Sequence, residues 1–174
     1  NKDAKEIYQL IIEEGKNHNL SHCGSHAMDT MRMESGFLHW GHDISPEENQ
    51  YQAGLTFAIS YKKEVNFIGK ESLLKVKEKK HDRRFIMLSL LDSKPGSPLL
   101  LHEEPIYLKD KIIGRTTSGN YSFNFKKNLS FGYVTSDHTN EELSKMDLYI
   151  EVAKQKYPAK VEITPLKDKS SRFL

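Results

Sequence analysis

Phe85-Ile86-Met87-Leu88-Ser89-Leu90-Leu91, FIMLSLL, is the stretch at which the chain changes period, and that change decides its fold class. It is a short apolar run of strand length, and segments of the same kind recur after it. Residues 105–108, 111–118, 129–134, 148–153 and 159–164 all read as strands, making six with 85–91. Turn chemistry at Lys94-Pro95-Gly96, Lys109-Asp110-Lys111 and Ser118-Gly119-Asn120 is expected to form hairpin corners. Six short strands suit a closed or sandwiched antiparallel unit.

Upstream of residue 82 the period is helical. Ile7, Leu10, Ile11 and Glu14 recur at helical spacing in a segment that runs from Asp3 to Gly15. A second helix is expected over 21–32, with Gly24, Ala27, Met28 and Met31 as its apolar face. Residues 52–60 alternate weakly, and a third helix is expected over 70–80, burying Leu73, Leu74 and Val76 or the stem of Lys77. The expected architecture is therefore α+β: residues 1–82 α-rich, then residues 83–174 as a small all-β domain.

The junction after the second helix, Met31 to Ile44 (MRMESGFLHWGHDI), gathers an arginine, a carboxylate, the single tryptophan and two glycines. At roughly 100° per residue, Arg32 and Glu34 fall on opposite flanks of the helix, so each needs a partner from outside it. Gly36 is a C-cap candidate, and Gly41 breaks the next segment, which brings Trp40, His42 and Asp43 to the helix end. The residues alone leave two readings open: a ligand site, or a buried structural arginine beside a core tryptophan.

Bulk composition narrows the function classes. The chain has 174 residues, enough for one sizeable core or two small domains, and no apolar run of membrane-spanning length. It opens on Asn1 without a leader, so a processed or excised piece is expected. A net charge of +2 from 26 basic and 24 acidic residues gives no pull toward nucleic acid or membrane. The one cysteine, Cys23, excludes an internal disulfide and favours a reducing compartment. His22 and His26 flank it at metal-ligand spacing, but without the glutamate of a zinc protease, and no metal is expected. His39 and His42 read as site walls or loop hydrogen-bonders. The basic stretch from Lys75 to Arg84 reads as a solvated helix end or a polyanion dock. GRTTSG, residues 114–119, lacks the lysine-serine ending of a phosphate loop and reads as a strand with a turn.

Taken in order, several pieces resemble one family. They are Gly24-x-x-Ala27 with Arg32-x-Glu34-x-Gly36, Trp40-Gly41-x-Asp43, Gln52-Ala53-Gly54-Leu55, Phe67-Ile68-Gly69-Lys70-Glu71, Gly114-Arg115-Thr116-Thr117-Ser118-Gly119 and Phe131-Gly132-Tyr133-Val134. Together they resemble the folate-binding aminomethyltransferases. The run is similar to the carboxyl-terminal half of the glycine-cleavage T-protein, and more so to the folate domain at the tail of dimethylglycine and sarcosine dehydrogenases. The likeness extends from about Ala4 to Pro165.

The resemblance implies the latter part of a tetrahydrofolate-binding domain over residues 1–82, truncated at its start, followed by the T-protein C-terminal β-barrel over 83–174. It implies a partial tetrahydrofolate site with Arg32 as a ligand contact and Trp40 as an aromatic wall. Glu34 and Asp43 are then supports that fix Arg32 and the loop. A guanidinium fits such a role because its planar fork pairs with an anionic or acceptor-rich edge. The family's catalytic aspartate and pterin-gripping glutamate lie upstream of Asn1, so no catalytic residue is assigned here. The family's ligand-contacting tyrosine near the carboxyl end has no counterpart in Ser170–Leu174. FAD would belong to a domain farther upstream, and upstream domains or a separate chain are the expected partners that complete the pocket. The implied chemistry is transfer of a one-carbon unit from a methylated amine or glycine to tetrahydrofolate. The implied location is the cytoplasm in a bacterium and the mitochondrial matrix in a eukaryote. The alternative is a noncatalytic regulatory or interaction module on the same scaffold, like the regulatory subunit of a dehydrogenase phosphatase.

Overall fold

A computed structural model of the chain describes residues 1–79, 81, 83–163 and 165–166. Its elements run α1 Ala4–Gly15, α2 Ser25–Glu34, α3 Lys70–Lys77, β1 Arg83–Leu90, β2 Pro105–Leu108, β3 Lys111–Ser122, β4 Lys127–Thr135, α4 Asn140–Leu143, β5 Leu148–Val152 and β6 Gln155–Glu162. The six strands close into an antiparallel barrel in the order β1-β4-β3-β2-β5-β6, with β6 pairing back onto β1. Each described strand thereby pairs with two neighbours. The α+β class and the barrel expected from the sequence are both present.

Alternation explains the barrel interior. Ile86, Leu88 and Leu90 on β1 point inward and join Leu100, Ile106, Val134, Ile150 and Val161 in the core. Phe85 and Met87 point outward and form a second cluster with Leu129, Phe131 and Met33, which comes from α2. That cluster is where the helical layer meets the barrel. The expected strand end at Thr164, the expected helix end at Lys80 and the segment Ser170–Leu174 lie outside the described residues.

Three expectations change in detail. Ser118-Gly119-Asn120 is not a hairpin corner; it lies within β3, and the turn to β4 falls at residues 123–126. Residues 52–60, whose alternation is weak, form turns and a 3-10 turn at Thr56–Ala58. Helix α3 half-buries Leu73 and Val76 but leaves Leu74 exposed. Helix α2 is turned the other way from the expected apolar face: Met28 and Met31 are each 52% exposed, while Met33 and Glu34 are buried. The reason is that α2 docks on β3 largely through polar bonds. Asn120 donates to the carbonyl of His26 at 2.9 Å, and Thr30 donates to the carbonyl of Tyr121 at 3.2 Å. Ser122 donates to Glu34 Oε1 at 2.5 Å, and the Asn124 amide donates to Oε2 at 2.9 Å. A face built from such pairs carries no hydrophobic period.

Candidate functional site at the end of helix α2

Helix α2 ends in a Schellman motif. Gly36 takes φ +74°, its N–H bonds the carbonyl of Met33 at 3.0 Å, and the Phe37 N–H bonds that of Arg32 at 2.8 Å. A Cβ on Gly36 would stand 2.6 Å from Pro165 Cγ, so space as well as dihedral requires glycine here. The chain then reverses through Gly41, at φ +89°, and a bridge between Trp40 and Ile44 closes the loop.

This reversal aims Asp43 back at Arg32. Arg32 donates from Nη1 to Asp43 Oδ2 at 2.6 Å, from Nε to Asp29 Oδ1 at 2.9 Å, and from Nη2 to Ser118 Oγ at 2.8 Å. A weaker bond runs from Nη1 to the carbonyl of Phe37 at 3.3 Å. The guanidinium also stands 5.8 Å from the centre of the Phe131 ring. Of its five N–H groups, four are thereby engaged by the protein and one on Nη2 is left. The side chain is 14% exposed, and what is exposed borders a cleft of about 180 Å³ shared with His26, His39, His42 and His102.

Asp43 is fully buried and fully used. Besides Arg32, it accepts the backbone N–H of His39 at 2.9 Å, Thr117 Oγ1 at 2.6 Å and Ser118 Oγ at 2.8 Å. Its carbonyl accepts the hydroxyl of Tyr133 at 2.8 Å. Burial pushes the Tyr133 phenol well above its ordinary pKa, with the charge of Glu48 adding to the shift, so it stays a neutral donor. Glu34, bonded to Ser122 and Asn124, fixes the helix to the barrel rather than holding Arg32 directly. With their oxygens committed, neither carboxylate is placed to shuttle a proton.

The loop has two sides. His39 and His42, with ring centres 4.6 Å apart, face the Arg32 cleft. Trp40, 64% exposed, stands instead in a larger apolar cleft of about 910 Å³, together with Phe37, Leu55, Phe57, Phe85 and Phe131. Arg32 and Trp40 thus belong to one loop system but border different clefts. His22 bonds the Tyr8 hydroxyl at 3.4 Å while His26 borders the Arg32 cleft, and among the described residues no His, Cys, Asp and Glu group suits a metal. Of the basic stretch, Arg83 pairs with Glu48 at 2.9 Å and lies over the Tyr133 ring. Among the described residues no helix is long and apolar enough to cross a membrane.

The roles of Thr117 and Ser118 at this site are not expected from the sequence, where they read as part of a strand with a turn; three consecutive hydroxyl residues, Thr116-Thr117-Ser118, are the available signal.

Two family models match the chain: the GCVT N-terminal domain over residues 1–63, and the glycine cleavage T-protein C-terminal barrel domain over residues 83–168. The chain is 34% identical over 165 residues to the 4-methylaminobutanoate oxidase (formaldehyde-forming) of Paenarthrobacter nicotinovorans, covering 95% of this chain and 19% of that protein. It is 32% identical over 169 residues to the mitochondrial dimethylglycine dehydrogenase of Rattus norvegicus, with shares of 95% and 19%. The chain therefore spans about a fifth of the length of these curated relatives. The crystal structure of the glycine cleavage system aminomethyltransferase T from Bartonella henselae shares its fold, with a TM-score of 0.67 at 22% identity over 81% of this chain and 38% of that one. With the two family models matched in order along it, the chain belongs to the glycine-cleavage T-protein family of aminomethyltransferases and corresponds to its carboxyl-terminal part.

Proposed function

We propose that this chain forms one wall of a tetrahydrofolate site in an enzyme of the aminomethyltransferase or dimethylglycine/sarcosine dehydrogenase type. On this reading residues 1–82 are the latter part of the folate-binding domain and residues 83–174 the barrel that closes one side. The ligand accepts a one-carbon unit from a methylated amine or glycine, and its own nitrogen supplies the capturing group.

The observation that carries the proposal is the aromatic cleft of about 910 Å³ at Trp40. A tryptophan left 64% exposed among phenylalanines offers a face on which a flat heterocycle stacks. Arg32 contributes from the separate, smaller cleft on the other side of the loop through its remaining Nη2 N–H, while Asp29, Asp43 and Ser118 hold the rest of the fork. Glu34 and Asp43 act as supports, and the proton-managing carboxylate lies outside this chain, as does any flavin. Upstream domains or a separate chain complete the pocket, in the cytoplasm of a bacterium or the matrix of a mitochondrion. The alternative of a noncatalytic regulatory module gains no support from the relatives above, whose names are those of enzymes.

Calorimetric titration of tetrahydrofolate into the full-length parent tests this. Trp40→Ala and Arg32→Ala are each expected to weaken binding by about 1–3 kcal/mol, the scale of one stacked ring or one charge-assisted hydrogen bond. Affinities equal to that of the unsubstituted protein would remove both residues from the site.

A further inference from the structure

Thr117 and Ser118 are consecutive, yet both hydroxyls bond the same oxygen, Asp43 Oδ1, at 2.6 and 2.8 Å. A regular strand turns adjacent side chains to opposite faces. Here Thr116 pairs with Gly132 and Ser118 with Phe131, so Thr117 is one residue too many against β4. It is a β-bulge, and a bulge re-aims the side chain it carries. The opposite oxygen of Asp43 holds Arg32 Nη1 at 2.6 Å and the His39 N–H at 2.9 Å. Two donors from the barrel and two from the helix-loop unit thus fill the four acceptor positions of one buried carboxylate. Ser118 closes a ring, because its hydroxyl also accepts from Arg32 Nη2 at 2.8 Å.

We propose that the bulge at Thr117 is the positioning device of this site. Thr117 and Ser118 are positioning residues: through Asp43 they fix the guanidinium of Arg32 and the loop that presents Trp40. That the loop serves tetrahydrofolate rests on the reading above; that the barrel sets the loop does not. The loop's own backbone bonds, such as Gly41 N–H to the Ile44 carbonyl at 2.8 Å, close the turn but do not orient it against the barrel. The hydroxyl pair and the Tyr133 bond to the Asp43 carbonyl supply that orientation.

The test uses the full chain with Thr117→Val, which keeps the side-chain shape and removes the donor, with Ser118→Ala, and with Thr117→Ser as the conservative variant. Amide hydrogen exchange at His39 and the side-chain Nε–H resonance of Arg32 are followed by NMR. In Thr117→Val and in Ser118→Ala the His39 amide is expected to exchange about tenfold faster, the counterpart of losing one hydrogen bond to a charged group. The Arg32 resonance should shift, and amides of β1 and β4 should keep their protection. Thr117→Ser should restore both signals. Unchanged His39 exchange in both hydroxyl-removing variants overturns the proposal, as does failure of Thr117→Ser to restore them. A second arm measures kcat and KM for tetrahydrofolate in the full-length parent. A raised KM at nearly constant kcat in Thr117→Val, reversed in Thr117→Ser, is expected. An unsubstituted parent that does not bind tetrahydrofolate overturns the folate reading, and the exchange data still decide the positioning role.

Discussion

Removing the Asp43 carboxylate is the perturbation that strains this architecture most, and its cost separates into two parts. Asp43→Asn removes the charge but keeps the shape. With its amide oxygen turned toward Arg32 and His39, its NH2 can donate to the hydroxyls of Thr117 and Ser118, which rotate to accept. Four hydrogen bonds survive, and the loss is confined to the ion pair. Asp29 still neutralises Arg32, so a cost of about 1–2 kcal/mol follows. Asp43→Ala strands the Arg32 Nη1, the His39 N–H and two hydroxyls in a place where the aspartate was 1% exposed. Breaking a buried pair in this way costs about 3–5 kcal/mol. In urea, with a slope of roughly 2 kcal/mol per molar, these become midpoint shifts of roughly 0.5–1 M and 1.5–2.5 M, followed by circular dichroism. Equal shifts for the two variants would mean that charge alone matters. An alanine variant within about 0.3 M of the unsubstituted chain would refute the clamp, since it corresponds to less than about 0.6 kcal/mol.

Two further outcomes follow from single positions. Gly36→Ala should destabilise the chain by at least about 1–2 kcal/mol, because a side chain at φ +74° costs that much and its Cβ also meets Pro165; thermal melts check it. Burial pushes the Glu48 carboxyl up, but the Ser45 hydroxyl and N–H and the Arg83 guanidinium outweigh it and hold the pKa below its ordinary value. A depressed carboxylate stabilises the fold above its unfolded pKa of about 4.3 and loses that contribution as pH falls through the folded value. The stability difference between the unsubstituted chain and Glu48→Gln should therefore shrink below about pH 4.5; a difference independent of pH between about 3 and 7 would contradict it.

The barrel was legible because short apolar runs of strand length recur between turn residues after Arg84. Which face of β1 points inward was not, since Ile86, Leu88 and Leu90 enter the core while the equally apolar Phe85 and Met87 join a second cluster under α2. The helix-loop junction was legible through local chemistry, two glycines that take left-handed backbone and an arginine out of reach of Glu34, although Arg32 also finds one partner on its own helix, Asp29, against the expectation that its partners lie outside it. The direction of α2 was not. Its docking face pairs Thr30, Arg32 and Glu34 with atoms of β3 and the turn that follows, more than eighty residues away, and only the methionines turned to solvent had an apolar period. Ser118-Gly119-Asn120 misled for a related reason. Those residue types make turns, but Gly119 is small because Leu100 crosses it, and a Cβ at Gly119 would stand 2.5 Å from the Leu100 Cβ. The roles of Thr117 and Ser118 depended on a register shift against β4, which no single strand encodes.

A crystal structure of the full-length parent with bound tetrahydrofolate tests the central claim most directly. The ligand's ring system is expected to stack within about 4 Å of the Trp40 indole, with Arg32 still held by Asp43. Ligand density elsewhere, with Trp40 untouched, would contradict it.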